Sequence, residues 1–518
     1  MHFPRLGGFG SLGWIAIAAG LVVLAGLTLA VSPATFGIGV AIAAAVVVLL
    51  RAGHRSTLSF LSAGAVALAV YSIGLGVGPY IVHFLAPTLL FILLAVVLWL
   101  KRGDANITLV SPFTLACASF MVPFGWAGLE ILRDSGIPLP LAAKALWYVI
   151  LGFALFTVGY SASIGSVLVR RLHPPQADFS SQRAVSVIAL CWLGGIGVFS
   201  VLLRFSEIGG IREAFLDPFE FRLETMGSLA YGQLLFTFLL QSACMLYFLR
   251  VLLKPRPRVV QVVLFGCILL TTCLVFWVFG SRLMFLNLFG GMGIAFHYLR
   301  RRLRPREILA GLILTALFVP TQGVYRGQAS QFRTVDDFVF ALQKTDIRDA
   351  WLERLDAFSN FTQVLQLKPR YDPVKIVEGI ILRPLPRAIV PDKPLADPGE
   401  ITKVLWPEAA STGITLDPSM FGALHFDFGV IGVILGMLAY GVIVRMLQSY
   451  LENNAKRPSF LFHYSLIFMV APGLLLGGFD SFYMVALIAF TTMAWVLLWA
   501  LGPPPKHPSG LGKLRVRQ

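Results

Sequence analysis

Long apolar runs follow one another along most of this chain. A run of about twenty apolar residues is long enough to cross a hydrocarbon core of about 30 Å as an α-helix. The sequence predicts about fourteen such helices, near residues 12–31, 34–50, 57–76, 79–100, 107–127, 139–166, 183–205, 229–253, 259–279, 283–299, 308–323, 418–447, 460–478 and 480–501. The pattern is typical of an all-α polytopic membrane protein.

One long polar segment, from about Val324 to Asp417, interrupts the series and contains thirteen of the 26 acidic residues. Between Val335 and about Leu367, apolar residues recur at spacings of three to five, which predicts amphipathic helix on the membrane or on the bundle. Seven prolines that follow prevent long regular structure. The predicted organisation is eleven helices in 1–323, a large and partly helical external loop in 324–417, three helices in 418–501 and a tail in 502–518.

Composition supports this class of protein and excludes others. The chain is 57% hydrophobic and 13% charged, with a mean hydropathy of +0.79, which is too apolar for a soluble globule. Its net charge of +16 could suggest nucleic-acid binding. No soluble segment combines a basic stripe with interleaved aromatic residues, so we expect no nucleic-acid partner. The five cysteines lie in apolar stretches without metal-ligand spacing, and we expect neither metal nor cofactor.

Basic residues are concentrated in alternate connections, as in RRRLRPRE (Arg300–Glu307) and KPRPR (Lys254–Arg258). The intervening short connections contain six basic residues: Arg133, Lys144, Arg204, Arg212, Arg222 and Arg282. Short cytoplasmic loops are enriched in Lys and Arg, whereas long loops are exempt from this rule. The pattern therefore predicts that both termini lie in the cytoplasm and that the large loop lies outside it.

A catalytic base on the outer side could come from few residues. Of eight histidines, only His83 and His425 can reach that face. His425 lies in FGALHFDFG (Phe421–Gly429), directly after the large loop and two residues before Asp427. Histidine has an ordinary pKa of about 6.5 and needs little tuning to accept a proton. Asp427 could orient the imidazole, although residues two apart on a helix point in different directions. The alternative is that Asp427 is itself the base.

Further outer carboxylates, Asp392 and Glu400, are the next candidates for the base. A plain hydrogen-bonding role at a helix end is the alternative for His425.

Arginines on the outer face form a second group of candidates. Arg282, in FGSRLM (Phe279–Met284), ends an apolar span with almost no loop after it. A guanidinium there is costly unless it faces a partner or a water-filled cavity, and the alternative is snorkelling to the lipid headgroups. The other arginines predicted near this face are Arg204, Arg222, Arg326, Arg383 and Arg387. If they converge, their planar forks would suit a pyrophosphate, because each can bind phosphate oxygens bidentately.

Two stretches near the end of the loop resemble the oligosaccharide repeat-unit polymerases, the Wzy-type O-antigen polymerases. ILRPLPRAIVPDKP (Ile381–Pro394) is similar to the family's PR–x–x–x–P–x–KP turn. PSMFGALHFDFGVIGVILGMLAYG (Pro418–Gly441) is similar to the FG–x–x–G helix that follows it. Arg282 looks like the family's recurring arginine after a G–S–R turn. Where many members have a glutamate and an aromatic residue before FG, this chain has Leu424 to Asp427.

The resemblance implies a GT-C-like glycosyltransferase of the bacterial inner membrane, without metal or cofactor. Such an enzyme moves a growing glycan from undecaprenyl pyrophosphate onto an incoming lipid-linked repeat unit at the periplasmic face, and so builds O-antigen or exopolysaccharide. Its partners would be undecaprenyl-pyrophosphate-linked glycans and the lipid bilayer, with a chain-length regulator as a further candidate.

Two alternatives come from other classes of protein. An O-antigen ligase has the same topology and a similar loop, but resemblance to it would require a histidine in the loop, and residues 324–417 contain none. A lipid-linked glycan flippase also has about fourteen helices. It would lack the large structured loop and would carry charged residues deep within its helices.

Overall fold

The computed structural model describes residues 111–126, 136–206, 210–218, 220–221, 230–328, 335–344, 357–371, 382, 397–411, 415–479 and 482–503. Within these ranges the chain forms helices and no strand. The α-helices are α1 (Pro112–Phe120), α2 (Leu139–Ser161), α3 (Ile164–Val169), α4 (Gln182–Phe205), α5 (Ile211–Leu216), α6 (Ala230–Leu252), α7 (Val259–Val278), α8 (Arg282–Leu299), α9 (Pro305–Gln328), α10 (Val335–Lys344), α11 (Ala357–Val364), α12 (Asp397–Leu405), α13 (Pro407–Ser411), α14 (Ser419–Asn454), α15 (Pro458–Ile467), α16 (Val470–Gly477) and α17 (Phe482–Leu501).

Eight candidate spans in the described part of the chain are long and apolar enough to cross a membrane, and Pro112–Gly125 is a shorter apolar helix. The prediction of an all-α, multi-pass membrane protein is therefore confirmed. Each predicted span from 107–127 onward contains a described helix. The first four predicted spans lie outside the described residues, so the number fourteen stays a prediction.

Hydrogen bonds join alternate connections at one end of the bundle. Arg250, at the end of α6, donates from Nη1 to the carbonyl oxygens of Phe179 and Ser181 at 2.8 and 3.0 Å. The Nδ1 atom of His173 lies 3.1 Å from Oδ1 of Asn454, the last residue of α14. The connection before α4 therefore meets the ends of α6 and α14.

The intervening connections meet at the opposite end. The hydroxyl of Tyr325, near the end of α9, donates to the carbonyl oxygen of Phe215 at 2.5 Å. The rings of Phe221 and Phe279 lie 5.9 Å apart, edge to face. The connection after α4, the turn between α7 and α8, and the end of α9 therefore share one end, in the alternating order that the basic residues predict.

This order gives a first prediction. If the basic end is cytoplasmic, reporter fusions at Arg302 and at Asp372 should report opposite compartments, with Arg302 in the cytoplasm. Fusions at Arg256 and Arg302 serve as a matched pair that should agree. The proposed orientation would be overturned if the fusions at Arg302 and at Asp372 both reported the cytoplasm.

α2 and α14 approach each other closely in the core. A Cβ on Gly159 would collide with the carbonyl oxygen of Leu438, and one on Gly441 would collide with that of Phe156. Small residues let the two backbones approach in this way, as is common in membrane bundles. The ring of Tyr440 packs 5.3 Å from that of Phe156, so aromatic contacts complete the interface.

α14 is broken at Gly429, although the sequence predicts one continuous helix near 418–447. Gly429 has φ 63° and ψ −146°, which is not helical. A Cβ on Gly432 would collide with the carbonyl oxygen of Leu424, and one on Gly436 with the Leu424 side chain. In a straight helix residues eight and twelve apart are separated by about 12 and 18 Å. The chain therefore folds back on itself at Gly429.

The contacts with α2 give the directions of the two segments. His425 lies against Tyr148, while both Phe421 and Met437 lie against Gly152. Along residues 419–428 the numbers fall as those of α2 rise, so this segment is antiparallel to α2. Residues 430–454 run parallel to α2. Residues 419–428 thus form a re-entrant half-helix, and the second segment crosses the bundle.

Candidate active site

The re-entrant half-helix is enclosed by protein. Every residue from 418 to 427 is buried, and His425 and Asp427 are only 6% and 2% exposed. Ionisable side chains inside a membrane bundle are rare, because a charge taken out of water is costly. Two of them within three residues of a buried segment mark it as the strongest candidate for a functional site.

His425 is surrounded by aromatic rings. Its imidazole meets the Tyr148 ring edge to face, with centroids 5.4 Å apart. Phe361 of α11 packs against the rings of Tyr148 and Phe421, at 6.0 and 5.6 Å. The Nδ1 atom of His425 is buried and has no hydrogen-bond partner among the described residues. A buried polar atom left in this way can bind a group brought by a ligand.

The loop supplies hydrogen bonds at the helix break. The backbone N–H of Arg370 donates to the carbonyl of Phe426 at 2.8 Å, and that of Tyr371 donates to the carbonyl of Asp427 at 2.7 Å. In a continuous helix both carbonyls would accept from residues four positions further on. Because the chain reverses at Gly429, residues 370–371 take the place of that missing turn.

The Arg370 side chain reinforces this contact. Its guanidinium lies 4.0 Å from the centre of the Phe426 ring and forms an ion pair with Glu400 of α12. Glu400 is one of the carboxylates that the sequence offers as an alternative base. Its engagement with a guanidinium makes it a poorer candidate than His425 or Asp427. Asp392, the other alternative, lies outside the described residues.

Arg282 lies in a different part of the same end of the bundle. It is the first residue of α8, and its Nη2 atom is buried 2.5 Å from where a Cβ on Gly323 of α9 would lie. The guanidinium therefore crosses the backbone of a neighbouring helix and faces protein. This geometry differs from that of an arginine snorkelling to lipid headgroups, whose charged end reaches outward.

The other predicted arginines are less well defined. Arg204 is exposed in the last turn of α4. The backbone of Arg326 lies in the last turn of α9, but its side chain is not among those described. Arg222, Arg383 and Arg387 lie outside the described residues. Convergence of these arginines on one cavity stays a prediction.

The short helix α16 lies between Arg282 and His425. A Cβ on Gly478, just after α16, would approach the Ala423 side chain of the half-helix at 3.0 Å. At its other end, Val470 lines a cavity of about 50 Å³ together with Leu283, the neighbour of Arg282. Gln233 and Thr237 also line this cavity. The two residues are four apart on α6, so their polar side chains lie on the same face of the helix. This spacing could have predicted a polar lining here, which the sequence prediction did not include.

Searches with the chain against protein-family models, curated proteins and solved structures gave no match, so the site is interpreted from its own residues.

Proposed function

We propose that this chain is a polysaccharide polymerase that joins undecaprenyl-pyrophosphate-linked repeat units at the periplasmic face of the bacterial inner membrane. The observation that carries the proposal is the buried His425, whose Nδ1 is unused within the described residues and which lies beneath a helix of the large loop. The proposal includes a GT-C-like bundle of about fourteen helices with both termini in the cytoplasm.

The proposed reaction needs one base and one stabiliser of negative charge. A hydroxyl oxygen of the acceptor sugar attacks the anomeric carbon of the donor glycan, and the bond from that carbon to the pyrophosphate oxygen breaks. The hydroxyl proton passes to His425, or to Asp427 as the alternative base. Arg282 stabilises the charge that develops on the leaving pyrophosphate. The pyrophosphate already activates the donor, so the transfer itself requires no nucleotide.

Access to His425 requires movement. The residue is 6% exposed, and Phe361 of α11 packs against the Tyr148 ring that contacts it. The geometry supports a closed state in which α11 excludes water from the site. In the proposed cycle, α11 moves aside to admit the acceptor sugar and returns before transfer, as lids do in many enzymes.

The proposed role of Arg282 can be tested without changing its charge. Replacing Gly323 with Ala puts a methyl group 2.5 Å from Nη2 of Arg282, which is too close for both atoms to stay in place. The end of a long side chain can move at little cost, so we expect normal folding but displacement of the guanidinium. Loss of one preorganised charge stabiliser costs about 10²–10³-fold in kcat, and we expect a fall of this order in polymerisation.

Gly311→Ala on the same helix is the matched control, because a Cβ there meets nothing within 4 Å among the described atoms. Arg282→Lys, which keeps the charge but loses the fork, should resemble Gly323→Ala. Wild-type turnover in Gly323→Ala and Arg282→Lys together would remove Arg282 from the proposed mechanism.

The function itself is tested by the glycan profile of a deletion strain. A polymerase deletion should abolish the ladder of long chains while a single repeat remains attached to its carrier or core. If the core no longer carried any repeat unit, the result would instead indicate a ligase or a flippase.

A further inference from the structure

We infer that Arg370 is a positioning residue that fixes the re-entrant half-helix, and that Glu400 in turn fixes Arg370. The importance of this for catalysis rests on the proposed function, whereas its effect on the half-helix does not.

The loop supplies hydrogen bonds that the backbone of the half-helix lacks at its end. A reversal at Gly429 leaves the carbonyls of Phe426 and Asp427 without the helical partners that a continuous helix would supply. The backbone N–H groups of Arg370 and Tyr371 donate to these carbonyls instead, at 2.8 and 2.7 Å. The direction of the half-helix, and so the position of His425 one residue earlier, depends on where residues 370–371 are held.

The side chain of Arg370 makes two contacts at once. A guanidinium can stack through its face and form hydrogen bonds through its edge at the same time. Arg370 does both, since its face covers the ring of Phe426 and its Nη1 pairs with Glu400. The side chain therefore connects the half-helix to α12, across two segments of the large loop. Lysine cannot replace both contacts, because an ammonium is a compact point charge.

Strained backbone conformations occur at both ends of the half-helix. Among described residues other than glycine, only Tyr371 and Ser419 have positive φ, at 58° and 64°. Ser419 is the first residue of the half-helix, and Tyr371 provides one of the two hydrogen bonds at its other end. Such conformations are strained and persist only where the surroundings impose them. The strained residues thus coincide with the segment that Arg370 holds.

The ion pair is partly open to water, since the side chains of Arg370 and Glu400 are 31% and 21% exposed. Exposed ion pairs usually contribute little to stability. We therefore expect substitutions here to leave the protein folded while the half-helix loses its fixed position. A misplacement of about 1 Å can cost on the order of 10²-fold in rate.

The experiment combines a chemical label with turnover. Purified wild type, Arg370→Gln, Arg370→Lys, Glu400→Gln and the double glutamine variant are treated with diethyl pyrocarbonate. Modification of His425 is measured by peptide mass spectrometry, with buried His463 as the internal reference. We expect faster labelling of His425, by at least several-fold, in every variant. The double variant should label His425 no faster than Arg370→Gln alone, because the effects of two residues that act as one unit do not add.

The Arg301–Glu307 ion pair supplies the control. It joins the same residue types at 2.7 Å and lies just after α8, at the end of that helix away from Arg282. Arg301→Gln and Glu307→Gln should change neither labelling nor turnover. For turnover, the variants at 370 and 400 should lower kcat by at least about ten-fold with little change in KM, as expected for lost positioning.

The outcomes separate the two proposals. Unchanged labelling of His425 in Arg370→Gln and Glu400→Gln overturns the positioning role, whatever the activity. If the variants label His425 faster but the wild type does not polymerise glycans, the positioning role is upheld and the proposed function is contradicted. Faster labelling with unchanged kcat would uphold the positioning role of Arg370 and contradict the assignment of the base to the half-helix.

Discussion

Replacing Gly429 with Ala should displace the half-helix and lower the stability of the protein. Gly429 combines φ 63° with ψ −146°, a conformation that is essentially confined to glycine. A Cβ there would lie 3.0 Å from the hydroxyl oxygen of Tyr371 and 3.3 Å from Cγ of Pro369. The backbone strain alone costs of order 1–3 kcal/mol. We expect a lower thermal midpoint, faster labelling of His425 and loss of turnover.

Gly266→Ala in α7 is the matched control, because it adds the same methyl group where no described atom lies within 4 Å. Alanine is favoured over glycine inside a helix by about 1 kcal/mol, so this variant should be at least as stable as wild type. Thermal unfolding of the purified proteins, followed by size-exclusion chromatography, provides the comparison. A thermal midpoint and His425 labelling equal to wild type in Gly429→Ala would contradict the reversal at this residue.

The sequence predicted the class of fold because membrane spans are encoded locally. Apolar length and the alternation of basic connections depend only on the residues within each segment, and both agree with the helices and their ends. The reversal at Gly429 could not be predicted in this way. An apolar segment that turns back inside protein has the same composition as one that continues, and the difference depends on a distant partner, Arg370, that occupies the carbonyls left by the break.

The candidate site also has features that the sequence predicts and features that only the fold shows. His425 and Asp427 could be selected from the sequence because few histidines reach the outer face and both residues directly follow the large loop. Their enclosure by Phe361 and Tyr148 depends on how the loop packs over α2, which no local pattern encodes. Glu400 was selected as an alternative base from its side of the membrane alone, and its ion pair with Arg370 became evident only from the fold.

The second large effect is expected at the proposed base. His425→Ala should remove proton transfer from the acceptor hydroxyl, and general base catalysis contributes typically 10²–10⁴-fold to the rate. The unused Nδ1 of His425 makes this residue the stronger candidate, with Asp427 as the alternative. Turnover by purified His425→Ala and Asp427→Asn proteins, normalised to folded protein, decides between them.

His463→Gln is the control for the loss of a buried histidine. His463 is also buried, but its two ring nitrogens meet the hydroxyls of Tyr450 and Thr491 at 3.1 and 3.2 Å. A glutamine amide can retain hydrogen bonds there, so turnover should persist. Wild-type turnover in His425→Ala would exclude it as the base, and wild-type turnover in both His425→Ala and Asp427→Asn would move the base into the large loop.

The central claim is that this chain alone joins lipid-linked repeat units, and one measurement tests it most directly. Purified wild-type protein in proteoliposomes is supplied with undecaprenyl-pyrophosphate-linked repeat units as the only substrate, and the products are resolved by length. The account predicts a ladder of products that differ by one repeat unit, in wild type and in His463→Gln but not in His425→Ala. Substrate that stays at one repeat unit with folded wild-type protein would contradict it.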